Sequence, residues 1–361
     1  MIDVIKDIDN LLKKIKESTE EKRYFSYVER RRNVAFVQCF ERTEIIKRKE
    51  NLIKKQNDFE KDLEKELMLF DSLNVPIIGL KGYFIKSEYY GSIPRIYNDI
   101  DLFVQSSNSA ELYKGLKSLG YHINYKTLYD NPVISMNICP KYYMENTQTL
   151  MLINSKKNIS IDMHSNINIT NVHFVHSNTV FNTDELFENS HKFNCFRNIR
   201  TLDLHDNLCF LFRHLLKHHV FYGKTQSGLQ TPIQHVLDLA LIINSELFCE
   251  DVLYNKAVKY NIVPEAIFCL NLYNKIFVSG KKIDLKLYLQ QLVKLNYDFK
   301  WKPILMASLN MPIENLMIGN FQNEFPKLQN IINKSQSLPQ YWMNSVFQKF
   351  VVSFTVKYLL K

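Results

Sequence analysis

The sequence predicts an α/β (α+β) core, flanked by an N-terminal helical segment and a C-terminal all-helical domain. Strand-like alternation of apolar and polar residues marks residues 99–104 and 159–164, and a short apolar run marks residues 75–80. Apolar residues recur at helical spacing near the N-terminus and again from residue 201 onward. A chain of 361 residues has room for two or three domains. We therefore divide the chain into residues 1–74, 75–200 and 201–361.

The N-terminal segment is predicted to be helical throughout most of its length. Ile2, Ile5, Ile8, Leu12 and Ile15 follow helical spacing, and residues 30–70 continue in the same way with dense charge. The central part then predicts, in order, a strand at 75–80, a helix at 83–90, a strand at 99–104, a helix at 110–119 and strands near 121–125, 149–153 and 159–164. Turn residues within 126–148 predict a loop that could cover a substrate or be a simple insertion.

The C-terminal part begins where the pattern becomes helical. Asp203 is placed to cap a helix that carries Leu204, Leu208 and Leu211 on one side. A loop at 222–231 with two glycines leads to a second helix that starts with Pro232 and ends near residue 244. Further helices are predicted up to a last one at 342–360.

Two acidic residues on the second predicted strand are the first chemical signal. Asp99 and Asp101 alternate with Ile100 and Leu102, so the two carboxylates share one face of the strand and the apolar residues share the other. Two such charges about 5 to 6 Å apart repel by roughly 3 kcal/mol at an effective dielectric near 20. A proton or a cation is therefore expected between them, and Mg²⁺ is the cation that prefers carboxylate oxygens.

A neighbouring strand and a turn add further polar groups to this site. On the strand at 159–164, Asp162 and His164 lie on the face opposite to Ile161, which supplies a third carboxylate. Lys81 and Gly82 stand between the first strand and the helix that follows it. A glycine turn that opens a helix presents backbone N–H groups to phosphates, and lysine adds charge, although Lys81 could instead extend into solvent.

Arg95, shortly before the two carboxylates, has two interpretations. It is either a bidentate phosphate clamp or an ordinary turn residue after Pro94. We expect the clamp.

The Lys81-Gly82 pair after a buried strand, Arg95 before Asp99 and Asp101, and the later Asp162-x-His164 resemble the nucleotidyltransferase superfamily related to DNA polymerase beta. The most similar branch is the bacterial family described as uncharacterised nucleotidyltransferases. The superfamily usually has Gly-Ser or Gly-Gly at the phosphate turn, where this chain has Lys-Gly. The resemblance extends over residues 60–105 and more weakly over 155–245, and it implies a catalytic core with a mixed sheet.

The resemblance also implies a reaction and a set of roles. Asp99 and Asp101 would bind Mg²⁺, or Mn²⁺ in its place, and Asp162 would help to hold a second ion or act as general base. An acceptor hydroxyl would attack the α-phosphate of an NTP such as ATP, and pyrophosphate would leave. The expected acceptor is a small molecule or a protein, and the alternatives are a tRNA-directed, toxin-like enzyme or an inactive nucleotide-binding scaffold.

Three polar residues of the helical part are expected to line the cleft. His214 and His218 are four residues apart on one helix face, but the helix lacks the Glu of an HExxH zinc site. We therefore interpret them as hydrogen-bonded histidines. Asp238 interrupts an apolar helix and needs a partner if it is buried, for which Arg213, His214 and His218 are the options.

The composition and charge of the chain indicate its class of partner and its cellular compartment. The net charge of +9 would suit a polyanionic partner, but lysines and acids are interspersed, so nucleic-acid binding is not favoured. Six cysteines without CxxC spacing argue against a zinc ribbon or a disulfide framework. No apolar run approaches membrane-spanning length, and the N-terminus is unlike a secretory signal. We expect a cytoplasmic protein without a membrane partner.

Overall fold

The computed structural model of the chain describes residues 2–18, 43–123, 149–154, 156–157, 159–165, 167, 181–221 and 233–294, with five single residues between 305 and 317. The elements or loops predicted at 30–42, 126–148 and 342–360 lie outside the described residues, as does Pro232. The side chain of His218 also lies outside them, although its backbone belongs to a described helix.

A mixed seven-stranded sheet forms the centre of the described structure. Its strands are β1 Ile77–Gly79, β2 Asp99–Phe103, β3 His122–Ile123, β4 Thr149–Asn154, β5 Ile159–His164, β6 His191–Lys192 and β7 Ile199–Thr201. They lie in the order β3-β4-β5-β2-β1-β7-β6. The pairs β2–β5 and β1–β7 are parallel and the other four pairs are antiparallel. The predicted α/β class is confirmed, and β6 and β7 are strands that the sequence analysis did not predict.

Helices surround this sheet in the described part of the chain. They are α1 Ile2–Ser18, α2 Thr43–Asp71, α3 Tyr83–Ile85, α4 Ser109–Ser118, α5 Thr183–Asn189, α6 Leu204–Phe221, α7 Ile233–Ile243, α8 Glu250–Lys259, α9 Val263–Ile276 and α10 Lys286–Lys294. The predicted helix at 83–90 exists, but its second part, Lys86–Tyr90, is a π-helical turn. None of the described helices is long and apolar enough to cross a membrane.

Each face of the sheet packs against a different set of helices. On one face, Ile77 and Leu102 share a hydrophobic core with Leu67 of α2 and Leu112 of α4. On the other face, residues of β1 and β2 such as Phe103 share a core with the helices from α6 onward. Because side chains alternate along a strand, Asp101 lies on the same face as Phe103. The acidic face of β2 is therefore directed toward the helical half of the molecule.

The N-terminal helix belongs to that same core. Val4, Ile8, Leu11 and Ile15 of α1 are buried together with the residues of α6, α7 and α9. The ends of the described chain thus meet on one side of the sheet, whereas α2 covers the other side. This packing explains why the helical half can supply one wall of a site on the sheet.

The start of α6 is defined by a cap that the sequence predicted. The Asp203 carboxylate accepts hydrogen bonds from the backbone N–H groups of His205 and Asp206, both at 2.9 Å. Lys256 of α8 then contacts the carboxylates of Asp203 and Asp206 at 3.1 and 2.6 Å. A capping carboxylate of this kind contributes about 1 kcal/mol. The cap and the lysine together determine where α6 begins and how α8 lies against it.

One carboxyl group in the helical core is protonatable near neutral pH. Glu265, in the first turn of α9, is completely buried. Burial raises its pKa to about 7, against the lowering effect of its own backbone N–H and of Arg213. The same burial lowers the pKa of Arg213 to about 10. The folded protein therefore favours the neutral form of Glu265.

We predict that Glu265→Gln stabilises the protein at pH 8 and not at pH 4. The unfolded carboxyl ionises near 4.5 and the folded one near 7, so the stability it contributes is complete below pH 4.5 and is lost as the pH rises through 7. An uncharged isostere avoids that loss, which is on the order of 3 kcal/mol. Urea unfolding at both pH values would measure it, with the exposed Glu111→Gln as control. An equal effect of Glu265→Gln at both pH values would contradict the assignment.

Candidate active site

The central contact of the site joins Lys81 to Asp101. The Lys81 Nζ lies 2.8 Å from Asp101 Oδ1, and His164 Nε2 lies 3.2 Å from the same oxygen. Lys81 lies two residues after the end of β1, Asp101 is in the middle of β2 and His164 ends β5. Three neighbouring strands thus bring a lysine, a carboxylate and a histidine together. Lys81 thus places a positive charge against Asp101, one of the two carboxylates between which the sequence analysis expected a cation.

These contacts determine the ionisation of Asp101. Burial raises the pKa of this carboxyl, but the Lys81 ammonium and the hydrogen bond from His164 lower it by more. The net pKa lies well below the ordinary range. Asp101 is only 3% exposed, so little water is present to weaken these interactions. The carboxylate is therefore negatively charged at neutral pH.

The other two acidic residues are placed by the strand register. Asp101 is the direct partner of Asp162 in the parallel pair β2–β5, and Asp99 is the partner of Ser160. Directly paired residues on adjacent strands lie about 5 Å apart and project to the same face. Asp99, Asp101 and Asp162 therefore share the face that looks toward the helical half. Asp99 and Asp162 are partly exposed, whereas Asp101 is buried.

The donor set is of the kind that a hard divalent cation requires. Three carboxylates converge on one sheet face, and Mg²⁺ prefers such oxygen ligands. The contacts of Lys81 and His164 are both made to Oδ1 of Asp101. Among the described residues, the His, Cys, Asp and Glu side chains do not form a ready-made group of three or more around a metal position. The three carboxylates are therefore of the type that binds Mg²⁺, and they lie on one face of the sheet. One of them, that of Asp101, is in contact with the Lys81 ammonium.

The turn that carries Lys81 has a geometry that requires glycine. Gly82 has φ +56°, a conformation that other residues rarely adopt. The backbone N–H of Lys86 donates to Gly82 O at 3.1 Å, which begins the helical segment. A side chain at Gly79 would meet the ring of Phe84 at 2.2 Å, so glycine is also needed where β1 packs on α3. These two glycines place Lys81 at the edge of the acidic face.

Two histidines of the helical half complete the surroundings of Lys81. His214 of α6 lies with Nδ1 3.5 Å from Lys81 Nζ. The ring of His235 on α7 lies 5.2 Å from the ring of His214, in an edge-to-face arrangement. The sequence analysis named His214 but not His235. Polar residues at 234, 235 and 238 in an otherwise apolar helix were the available signal, because they define one stripe of α7.

Arg95 and Asp238 form a buried ion pair. Arg95 Nε lies 2.8 Å from Asp238 Oδ1, and Arg95 Nη2 lies 2.8 Å from Asp238 Oδ2. Tyr90 donates a hydrogen bond to the same carboxylate, and the Arg95 guanidinium lies over the rings of Tyr90 and Tyr97. Burial lowers the pKa of Arg95, but Asp238 raises it by more, so the guanidinium stays charged. This geometry is bidentate, as expected, but the partner is a carboxylate.

This ion pair bears on two predictions, the identity of the partner of Asp238 and the role of Arg95 as a phosphate clamp. The Asp238 carboxylate is in contact with Arg95 and Tyr90, two residues that the sequence analysis did not name as its partners. Arg213 instead donates to the backbone oxygen of Ile167 at 2.9 Å. The phosphate role of Arg95 stays a prediction, although both of its contacts with Asp238 use the edge that a phosphate would need. The geometry favours a supporting role for Arg95.

A second polar contact joins the segment before β2 to α7. The Gln234 side chain accepts from Ile96 N at 2.8 Å and donates to Ile96 O at 2.9 Å. On the other side, Tyr97 N donates to the Gln56 side chain of α2 at 3.1 Å. The backbone immediately before Asp99 is therefore bound from both faces of the sheet. Neither glutamine was recognised from the sequence, although Gln234 belongs to the polar stripe of α7.

Comparison with known protein families shows which family the chain belongs to. Residues 42–278 match the family described as uncharacterised nucleotidyltransferase, which is more than half of the chain. The chain belongs to this family. The matched region includes the acidic face, the Lys81 turn, α6 and α7. No curated protein and no solved structure matches the chain.

Family membership defines the general chemistry. The protein is a nucleotidyltransferase, an enzyme that transfers a phosphorus-containing group, and its substrate class is an NTP from which NMP is transferred. The family match also covers part of the helical half, which includes His214 and Asp238, the residues that contact Lys81 and Arg95.

We predict that the Arg95–Asp238 pair is strongly coupled in folding. Arg95→Met or Asp238→Leu alone leaves a buried charge without its counter-ion, which costs about 3–5 kcal/mol. The double variant should cost much less than the sum of the two, because no buried charge remains. The exposed Lys65–Asp62 pair, 74% and 63% exposed, is the matched control and should show almost no coupling. Denaturant unfolding of all variants measures both cycles, and additive losses for Arg95 and Asp238 would refute a structural pair.

Proposed function

We propose that the protein is a Mg²⁺-dependent nucleotidyltransferase, for which Mn²⁺ can substitute, that transfers NMP from an NTP to a hydroxyl acceptor and releases pyrophosphate. The observation that carries this proposal is the register of β2 and β5, in which Asp101 and Asp162 are direct partners on the face that also carries Asp99. Acidic residues gathered in this way repel each other, and a cation that also binds phosphate resolves that repulsion.

Asp99 and Asp101 would hold the metal. When bound, Mg²⁺ would neutralise the triphosphate and so stabilise the charge that develops on the leaving group. Asp101 is suited to this role because its pKa is low and it remains charged. His164 would orient the Asp101 carboxylate through the 3.2 Å contact.

Asp162 would act on the acceptor. It lies on β5 beside Asp101 and is partly exposed, which allows contact with a second substrate. The acceptor hydroxyl would give its proton to Asp162 while its oxygen forms a bond to the α-phosphorus. The bond from that phosphorus to the bridging oxygen breaks in line, and pyrophosphate leaves with the electron pair.

Lys81 and Gly82 would contact the phosphates of the NTP. Lys81 lies shortly after the C-terminal end of β1, next to the backbone turn at Gly82, and its side chain is 14% exposed. His214 and His235 would form the wall of the cleft on the helical side. Arg95 and Asp238 would act behind this wall, where they secure the segment that leads into β2.

The acceptor is proposed to be a small molecule or a protein side chain. The net charge of +9 is the feature that would favour the alternative, a tRNA-directed enzyme. In the described structure, however, many of the basic residues are compensated locally. Lys157, Lys256 and Lys259 are each in an ion pair with an acidic residue.

We predict that Asp101→Asn and Asp162→Asn both abolish NMP transfer but differ in stability. Loss of a general base reduces turnover by about 10²–10⁴-fold, and loss of a metal ligand is expected to be at least as severe. Asp101→Asn also removes the counter-ion of Lys81, so its unfolding midpoint should fall, whereas that of Asp162→Asn should change little. Release of pyrophosphate and thermal unfolding measure the two effects.

The exposed Asp251→Asn is the control for this pair and should retain full activity. Full activity of Asp101→Asn would refute the metal-site assignment. Metal-dependent nucleotide binding in the wild type without pyrophosphate release, from any NTP and any acceptor pool, would identify the inactive scaffold instead.

The acceptor class can be found by labelling. The protein is incubated with Mg²⁺, each α-labelled NTP in turn and separate pools of RNA, protein and small molecules. We predict label in the small-molecule or protein pool, and a shallow salt dependence of RNA binding. A nucleic-acid acceptor would instead show a log–log salt slope of about −0.7 to −0.9 for each phosphate contacted. A labelled RNA band would establish the tRNA-directed alternative.

A further inference from the structure

Lys81 is in an unusual position for a residue that would bind phosphate. Its Nζ lies 2.8 Å from Oδ1 of Asp101, one of the two carboxylates that would hold the metal. The side chains of Lys81 and Asp101 are 14% and 3% exposed, so the contact is largely shielded from water. The positive charge of Lys81 is therefore already engaged by Asp101, so it is only partly available to a triphosphate.

We propose that Lys81 is an internal counter-ion that alternates between two partners. In the nucleotide-free protein it neutralises Asp101, and when metal and NTP bind together it leaves Asp101 and contacts the triphosphate. This inference rests on the proposed function, because it assigns an order of events to the same site. Its consequence is that metal and nucleotide bind cooperatively.

Charge is the reason for the competition. An ammonium group 2.8 Å from Oδ1 and a divalent cation at the same carboxylate would repel each other at short range in a poorly hydrated site. Metal binding without nucleotide must therefore displace Lys81 from Asp101, and the ammonium then needs another negative partner. A triphosphate supplies that partner, so metal and nucleotide each favour the binding of the other.

The backbone around Lys81 allows a side-chain movement without a change of fold. The N–H of Leu80 donates to Asp101 O at 3.1 Å, and the N–H of Phe84 donates to Lys81 O at 3.1 Å. Both ends of the turn are thus bound to secondary structure, and Gly82 absorbs the sharp bend. The four-carbon stem of Lys81 can change rotamer while these hydrogen bonds remain.

The histidine side of the site supplies a second position for the ammonium. His214 Nδ1 lies 3.5 Å from Lys81 Nζ, and a neutral imidazole nitrogen can accept a hydrogen bond from an ammonium. His235 packs against His214 with a ring separation of 5.2 Å, which restrains its orientation. Lys81 therefore lies between a carboxylate and an imidazole, and a small shift transfers it from one toward the other.

The experiment measures Mn²⁺ binding by the full chain without catalysis. Free Mn²⁺ is followed by electron paramagnetic resonance, with wild type, Lys81→Met and Lys81→Gln compared in the absence of nucleotide. Both neutral variants should bind Mn²⁺ more tightly than wild type, by roughly 5- to 150-fold, the usual range for coupled sites. Lys81→Gln keeps a hydrogen-bond donor for Asp101 and serves if Lys81→Met fails to fold.

Two controls separate this effect from a general change in charge. Lys81→Arg keeps a cation and should bind Mn²⁺ like wild type. Lys157→Met removes a lysine from an ion pair of 2.6 Å with Glu66, away from the acidic face, and should also bind like wild type. Unchanged or weaker Mn²⁺ binding by both neutral Lys81 variants would overturn the proposal.

A second titration tests the coupling to nucleotide. An equimolar mixture of the four α,β-methylene NTPs, which cannot be turned over at the α-phosphate, is added to each variant. The mixture should increase the apparent Mn²⁺ affinity of wild type more than that of Lys81→Gln, and an equal increase in both would refute the exchange of partners. Because neither titration requires turnover, absence of labelled product with tighter Mn²⁺ binding by Lys81→Gln would refute the enzyme function and leave the counter-ion exchange supported.

Discussion

The buried pair of Arg95 and Asp238 is the interaction on which the geometry of the site depends. It joins two residues 143 positions apart, one in the segment before β2 and one in the middle of α7. Desolvation of two charges is costly, and the bidentate geometry with the Tyr90 hydrogen bond offsets much of that cost. The pair therefore contributes little net stability. What it provides is a single position of β2 relative to α7, because a shifted position would leave both charges unpaired.

The acidic face depends on that position for its own electrostatics. Lys81 neutralises Asp101 from β1, His164 contacts it from β5, and His214 approaches Lys81 from α6. Each of these groups comes from a different element, so a small displacement of β2 would change all of the contacts together. A site that collects negative charge remains folded here because the chain supplies its own cation. In the exchange of partners that we propose, the same cation also takes part in the binding of metal and NTP.

The strands and their acidic face could be predicted from the sequence. The contacts that could not be predicted have a common physical cause, which is that they join distant parts of the chain. The alternation at 99–104 and 159–164 predicted β2, β5 and the shared face of Asp99 and Asp101, because strand geometry is local. The direct pairing of Asp101 with Asp162 depends on register between distant strands. Arg95 was interpreted as a phosphate clamp because its partner lies on another element. The sequence around an arginine shows that it can make a bidentate contact, but it does not show which group the arginine contacts.

The polar stripe of α7 shows how closely the helical half is built into the site. Gln234 binds both backbone groups of Ile96, Asp238 binds Arg95, and His235 lies beside His214. One helix thus secures the chain before β2 and also lines the proposed cleft. The boundary that we place at residue 201 from sequence stays a prediction, but the core that α6 and α7 share with β1 and β2 crosses it. Because β2 is joined to α7 by these contacts, we expect the acidic face to lose its geometry without the helical half, even where the strands themselves are retained.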